Sequence, residues 1–147
     1  MIVIRKISEN DIAAVASLES EIFPDPWSAK SIKETHENKN ALILGAYQDD
    51  VLIGYVIFYY VLDEGEIARI AVSSSHRRKG VAEQIFVNLL EFCVQKNVER
   101  ILLDVRVSNE TAIAFYRKSG FAEDGIRKNF YDHPKEHALL MSTDVAR

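Results

Sequence analysis

Arg77-Arg78-Lys79-Gly80-Val81-Ala82 sets three cations directly ahead of a glycine and two small apolar residues. The run lies between a β-prone segment and one with helical spacing. Gly80 lets the backbone turn tightly and lets a ligand approach where a Cβ would obstruct it. Ala82 keeps that approach open. The first turn of the following helix leaves backbone N–H groups unpaired and points the positive end of its dipole outward. Such a terminus suits an anion, a pyrophosphate in particular, and Arg77, Arg78 and Lys79 add charge at the same place. A solvated basic turn closed by glycine explains the same string, so the local residues leave both readings open. The run is not a Walker A loop, because the Gly-Lys-Ser/Thr ending is missing.

Asn109 and Tyr116 are seven residues apart, close to two helical turns, so they line one side of a helix. Asn109 suits an N-cap. Tyr116, taken alone, reads as a core tyrosine with a satisfied hydroxyl. His133 and His137 are four apart, but Pro134 between them argues against a helix. Their spacing is therefore no metal signature, and no metal is expected. Cys93, the single cysteine, excludes an intramolecular disulfide and falls on an apolar helix face as a core thiol. His76 flanks the basic run.

The elements that must position these residues read clearly. Ile2-Val3-Ile4 begins as a strand. Ser8 and Asp11 form a capping-box-like start, after which Ile12, Val15, Leu18, Glu19 and Ile22 repeat at helical spacing until Pro24 and Pro26. Ser28 caps a second helix through about Glu37. Ala41–Tyr47, Val51–Leu62 and Glu66–Val72 are β-prone and separated by short turns, which predicts an antiparallel meander. Val81, Ile85, Leu89 and Cys93 line a helix ending near Asn97. Ile101–Val107 is nearly continuous in apolar character, the mark of a central strand covered on both faces. Asn109 opens a helix over Glu110–Ser119 that Gly120 closes. Strands near Phe121–Phe130 and Glu136–Thr143 finish the chain. The order β-α-α-β-β-β-α-β-α-β-β predicts a mixed α/β (α+β) sheet, with one right-handed crossover and two parallel strands.

The 147 residues fit a single domain, 1–147. Eighteen basic and 22 acidic side chains give a net charge of −4, which argues against nucleic acid as the main partner. The charged N-terminal segment does not read as a signal peptide. The longest apolar run, near Tyr55–Leu62, falls far short of the ~20 residues that span a bilayer. A soluble cytoplasmic domain without a membrane partner is the expectation. The C-terminal strands leave monomer and homodimer both open.

Arg77, Gly80 and Ala82 match the Q/R-x-x-G-x-G/A signature, and the chain resembles the GNAT N-acetyltransferases over essentially its whole length. Ile70-Ala71-Val72 before the signature supports the resemblance, as do Val105–Asn109 and Ala114–Phe121 after it. Pro26-Trp27-Ser28, Leu62-Asp63-Glu64, Ile126–Tyr131 and Glu136–Met141 are similar to the RimI-like branch, the ribosomal-protein-alanine N-acetyltransferases. The resemblance implies a GNAT acyl-CoA N-acyltransferase fold, acetyl-CoA as donor and a protein α-amine as acceptor. It implies a V-shaped cleft where the Glu66–Val72 and Ile101–Val107 strands splay apart. Backbone groups of Ile70 and Val72, flanking Ala71, would hold the pantetheine arm and the thioester oxygen. Amides from Arg77 to Ala82, Val81 included, would hold the pyrophosphate, and Asn109 would touch the pantetheine.

The resemblance makes Tyr116 the general acid: a phenol of pKa ~10 delivers a proton to a thiolate whose acid lies near ~8.5. The base is where the chain departs from the branch, which has Glu where this sequence has Asp104. Asp is one methylene shorter, so a direct contact becomes longer or bridged by water. Glu66 on the neighbouring strand is the second candidate. Simple alternation groups Glu66 with Ala68, Ile70 and Val72, and Asp104 with Leu102 and Arg106; it does not say whether the two carboxylates share a cleft. An ion pair with Arg106 is the structural alternative for Asp104. Trp27 and Tyr131 are candidates to wall the acceptor groove; a place in the core is the alternative for Trp27. Two rivals remain at this point: an acetyltransferase of a small amine, polyamine or lysine, and a non-catalytic CoA-binding regulatory module.

Overall fold

Asp49 and Asp50 both have positive φ, 51° and 63°, as a two-residue hairpin turn requires. They join β2 (Ala41–Gln48) to β3 (Val51–Val61). Leu62, at φ 56°, and Asp63 turn β3 into β4 (Glu64–Val72). The turn is tighter than the sequence suggests, so β4 starts two residues before the expected Glu66. The computed structural model describes residues 1–145. The other elements are β1 (Ile2–Lys6), α1 (Ile12–Ile22), α2 (Ala29–Glu37), α3 (Val81–Gln95), β5 (Arg100–Arg106), α4 (Glu110–Lys118), β6 (Ala122–Asp132) and β7 (Lys135–Asp144). Ser8 and Asp11 bracket a short 3-10 turn ahead of α1, where the Asp11 carboxylate accepts the Ser8 N–H at 2.9 Å.

The seven strands form one sheet in the order β1-β2-β3-β4-β5-β7-β6. Every pairing is antiparallel except β4 with β5. The element order is the expected one, and the parallel pair is the one that α3 connects.

One face of the sheet packs on α3 and α4 through Ile85, Phe86, Leu89, Ile101, Leu103, Val105 and Tyr116. The other packs on α1 and α2 through Val15, Leu18, Ile32, Tyr55 and Ile57. Ile85 and Leu89 are fully buried; burying each such side chain is worth about 1.5–3 kcal/mol. β5 is central, but only Ile101, Leu103 and Val105 are buried. Its other face, with Leu102, Asp104 and Arg106, stays partly open, so β5 is not covered on both faces as the apolar run suggested. Among the described residues no helix is long and apolar enough to cross a membrane.

Two irregularities shape the centre of the sheet. β4 and β5 pair only over Glu64–Ile67 and Arg100–Leu103, although β4 continues to Val72 and β5 to Arg106. Beyond Ile67 the strands part, and the β5-side edge of β4 has no strand beside it. At the same point β4 carries a bulge. Ile57 pairs with Arg69 and Phe58 with Ile67, leaving Ala68 as the extra residue. An extra residue shifts the side-chain phase of the strand. Ile67, Ile70 and Val72 therefore meet the α3 side. Ala68 and Ala71 meet the α1 side. The grouping of Glu66 with Ile70 and Val72 is corrected by this bulge: Glu66 lies opposite to Ile67, on the α1 face.

Candidate active site

The basic run folds into the β4–α3 connection. Gly80 is the residue before α3 and adopts φ 75°. A Cβ added there would meet no atom within 4 Å. The backbone conformation calls for glycine, and the space in front of it is open to a ligand. Arg77 donates from Nε to the Val72 carbonyl at 3.2 Å, which ties the loop to the end of β4. His76 is engaged by the Ser73 hydroxyl at 2.7 Å and so flanks the loop. Arg78 and Lys79 are exposed beside the helix terminus. Ile70 and Val72 lie on the β4 segment that β5 has left, so their strand edge faces the opening.

Asn109 is more committed than its sequence position implies. Its Oδ1 accepts the Ala112 N–H at 3.2 Å. Its own N–H donates to the Arg106 carbonyl at 2.9 Å, and its carbonyl accepts from Ile113 at 3.0 Å. The side-chain NH2 is the donor left to meet a ligand. Tyr116 is buried by Phe115 and Phe121, with ring centroids 5.6 and 5.4 Å away. Its hydroxyl makes no hydrogen bond among the described residues, which contain no sealed, unsatisfied side-chain polar atom. Burial pushes its pKa upward, and the Tyr131 phenol adds to the shift.

Glu66 and Asp104 lie on the same face of the parted strands. Glu66 is in register with Leu102, so Asp104 stands two residues further along, on the same side. Glu66 is exposed to the opening. Desolvation still raises its carboxyl pKa, and the Asp104 charge raises it further against the pull of Arg127. The Asp104–Arg106 ion pair does not form: Arg106 binds Glu136 at 3.2 Å instead. Asp104 has no ion pair among the described residues.

Arg106 and Glu136 pin the β6–β7 hairpin over β5. Arg106 donates to the Pro134 carbonyl at 2.9 Å and lies 4.3 Å from the centroid of the Tyr131 ring. Glu136 also accepts the Ser108 N–H at 2.7 Å, just ahead of α4. Tyr131 has a pKa pushed up to about 12 by burial and by the Asp104 charge, against Arg106 and Arg69. His137 accepts the Asn129 N–H at 2.9 Å. Among the described residues no group of three or more His, Cys, Asp or Glu side chains is placed to hold a metal. Cys93 is fully buried, and desolvation pushes its thiol up to about 12.

On the far side of the opening, Glu19 organises the loop between α1 and α2. Its buried carboxylate accepts the Tyr55 hydroxyl at 2.7 Å and the Trp27 N–H at 2.8 Å. Arg69 Nε lies 3.6 Å away. The same guanidinium donates to the Asp25 carbonyl at 2.9 Å and stacks 4.0 Å from the Phe23 ring centroid. Trp27 is held 6.5 Å from Tyr59 at the mouth of an open cavity of about 690 Å³. It is half-buried, at once packed on the core and facing the cavity. The Glu19–Arg69 clamp is absent from the sequence expectations. Its signal was an acid inside the apolar stripe of α1; the bulge hid the face of Arg69.

Residues 12–121 match the family described as the acetyltransferase (GNAT) family. A Bacillus subtilis (strain 168) protein, provisionally named a ribosomal protein bS18-alanine N-acetyltransferase, is 36% identical over 139 residues, 94% of this chain and 92% of its own. The protein in the crystal structure of the Escherichia coli ribosomal-protein-S18-alanine N-acetyltransferase is 28% identical. It superposes with a TM-score of 0.92, covering 100% of this chain and 96% of that one. Arabidopsis thaliana NAA60 in complex with acetyl-CoA shares the fold at 18% identity and a TM-score of 0.90, over 99% of this chain and 100% of its own. The glycine-closed basic turn, the parted parallel strands and the matched family lead to one conclusion: the chain belongs to the acetyltransferase (GNAT) family, enzymes that take their acyl group from acetyl-CoA.

Proposed function

We propose that this N-acetyltransferase acts on the N-terminal α-amine of a protein, a ribosomal protein of the kind its relatives are named for, in the cytoplasm. Residues 1–147 act as one catalytic domain. The observation that supports the reading is the Glu66–Asp104 pair on one face where β4 and β5 part, with Tyr116 coupled through Tyr131, which also feels the Asp104 charge.

In this reading the pantetheine arm lies along the free edge of β4 at Ile70, Ala71 and Val72, as an added strand would. The pyrophosphate rests on the amides from Arg77 to Ala82, with Arg78 and Lys79 supplying charge. The side-chain NH2 of Asn109 touches the arm. The neutral amine attacks the thioester carbon, forming the C–N bond, and the oxyanion is held by a backbone N–H of β4. An α-amine has pKa ~7.7–8.0, so a modest base deprotonates it. The Glu66–Asp104 pair takes that proton, directly or through a water. The raised pKa of Glu66 brings it nearer to the amine's, as a proton acceptor needs. The C–S bond then breaks, Tyr116 protonates the thiolate, and the second proton, which the nitrogen sheds as the amide forms, returns to the Tyr116 oxygen directly or through a water. Burial keeps Tyr116 fully protonated at neutral pH, and the same dry surroundings raise the proton affinity of the leaving thiolate. Trp27 and Tyr131 wall the two sides of the acceptor groove.

The test is acetylation of a peptide beginning Ala-Arg against spermidine and an internal-lysine peptide. The α-amine peptide is expected to have by far the highest kcat/KM. Preference for spermidine or lysine, whose pKa near ~10.4 asks for a stronger base, overturns the acceptor assignment. Tight acetyl-CoA binding with no turnover on any amine overturns the catalytic one.

A further inference from the structure

The cavity beside Trp27 is chemically uneven. Pro26, Trp27, Ser28, Ser31, Glu34, Thr35, Asn38 and Tyr59 line it, and Glu34 is the one formally charged side chain among them. The hydroxyls are already engaged. Thr35 and Tyr59 bond each other at 2.7 Å. Ser28 Oγ accepts the Ser31 N–H at 3.1 Å and donates to the Ser31 hydroxyl. Asn38 Oδ1 accepts the Asn40 N–H at 2.8 Å. Glu34 makes no ion pair among the described residues, not even with Lys30 one turn earlier on α2. The cavity therefore offers one unneutralised carboxylate beside two aromatic rings, Trp27 and Tyr59. An anion would find no cation here, and a purely apolar group would leave Glu34 unanswered. A cation gains from the carboxylate and from the negative faces of both rings.

Its place relative to the transfer site is also defined. Tyr59 is the cross-strand partner of Glu66, so the cavity begins one strand beyond the proposed base pair. From β5 to β3 is two strand spacings, ~10 Å, or about three residues of extended peptide. A long side chain on the second or third residue of an acceptor reaches it.

We infer that the Trp27–Glu34–Tyr59 cavity is a subsite for a cationic side chain of the acceptor peptide, a guanidinium above all, one or two residues beyond the acetylated amine. The inference rests on the peptide α-amine reading given above. Arg suits it better than Lys, because a planar guanidinium stacks on a ring while its edge donates to a carboxylate. The subsite lies off the reacting atoms and acts on KM.

The test uses the full chain with acetyl-CoA and Ala-initiated peptides carrying Arg, or its neutral isostere citrulline, at position two, three or four. At position two or three, Arg is expected to lower KM by about three- to tenfold relative to citrulline, with similar kcat, as one exposed ion pair plus cation–π contact allows. Glu34→Gln should bring that ratio close to one, and Glu34→Lys should reverse it. Glu34 is exposed on α2, and a thermal melt verifies that both variants are folded. Equal KM for Arg and citrulline at every position overturns the subsite and leaves the α-amine reading standing. An Arg preference that survives Glu34→Gln also overturns it. No turnover of any peptide, with turnover of a free amine, overturns the α-amine reading itself.

Discussion

Glu66 and Asp104 are two like charges on one face of parted strands, and their proximity raises the proton affinity of Glu66 after desolvation has already done so. Carbon-detected NMR titration should place the Glu66 pKa above the ordinary ~4.3 of a glutamate, and Asp104→Asn should lower it. No change in Asp104→Asn would remove the coupling. The shift has a stability consequence with a definite sign. The folded chain holds the Glu66 proton to higher pH than the unfolded chain. Its favourable contribution is therefore present at acid pH and lost as pH rises through the raised folded value. Glu66→Gln should raise Tm relative to the wild type at neutral pH and not below pH 4. Tyr116→Phe tests the acid: kcat should fall on the order of 10²-fold, the lower end for general acid catalysis, while calorimetry finds acetyl-CoA affinity little changed. Full retention of kcat would take the role from Tyr116.

At the scale of elements, the helices and the meander were legible because periodicity and capping are local. Ser28 does accept the Ser31 N–H, and Gly80 and Gly120 both have positive φ. The bulge at Ala68 was not legible, since it exists only in register with β3. For the same reason the sequence left open whether Glu66 and Asp104 face one cleft. The roles of Arg106 and Glu136 escaped because their partners lie about 30 residues apart in sequence. Glu19 escaped because a buried acid on an apolar stripe is understood only with its partners in place. Glu19→Ala would leave Arg69 and Tyr55 without their carboxylate. Breaking a buried pair costs about 3–5 kcal/mol, so Tm should drop by roughly 10 °C for a chain of this size. The α1–α2 loop should then exchange amide hydrogens faster than the rest of the fold; a melt within a degree of wild type contradicts the clamp. Gly80→Ala separates backbone from contact. Nothing obstructs the new methyl, so its cost is the positive φ, about 1–2 kcal/mol. Acetyl-CoA affinity should fall at least as much, because the methyl occupies the ligand's approach.

At the scale of the whole molecule, the sheet is one continuous seven-stranded surface whose two halves diverge at its single parallel junction. α3 and α4 seal one face, and α1 and α2 cover the other only as far as the loop that Glu19 and Arg69 fasten down. In the proposed mechanism, donor and acceptor meet in the uncovered area between that loop and the β6–β7 hairpin. The average charge of −4 says nothing of this. Arg77, Arg78 and Lys79 sit in one turn at the α3 terminus, whereas Glu66 and Asp104 lie on the α1 face of the sheet and Glu34 on α2. This segregation by charge suits a phosphate-bearing donor entering from one side and a cationic chain terminus from the other. The most direct test is an internal competition: one peptide with a free N-terminal alanine and an internal lysine, acetylated by the full chain and mapped by tandem mass spectrometry. The acetyl group is predicted on the α-amine, with the lysine essentially unmodified. Acetylation of the lysine in preference to the α-amine would contradict the account.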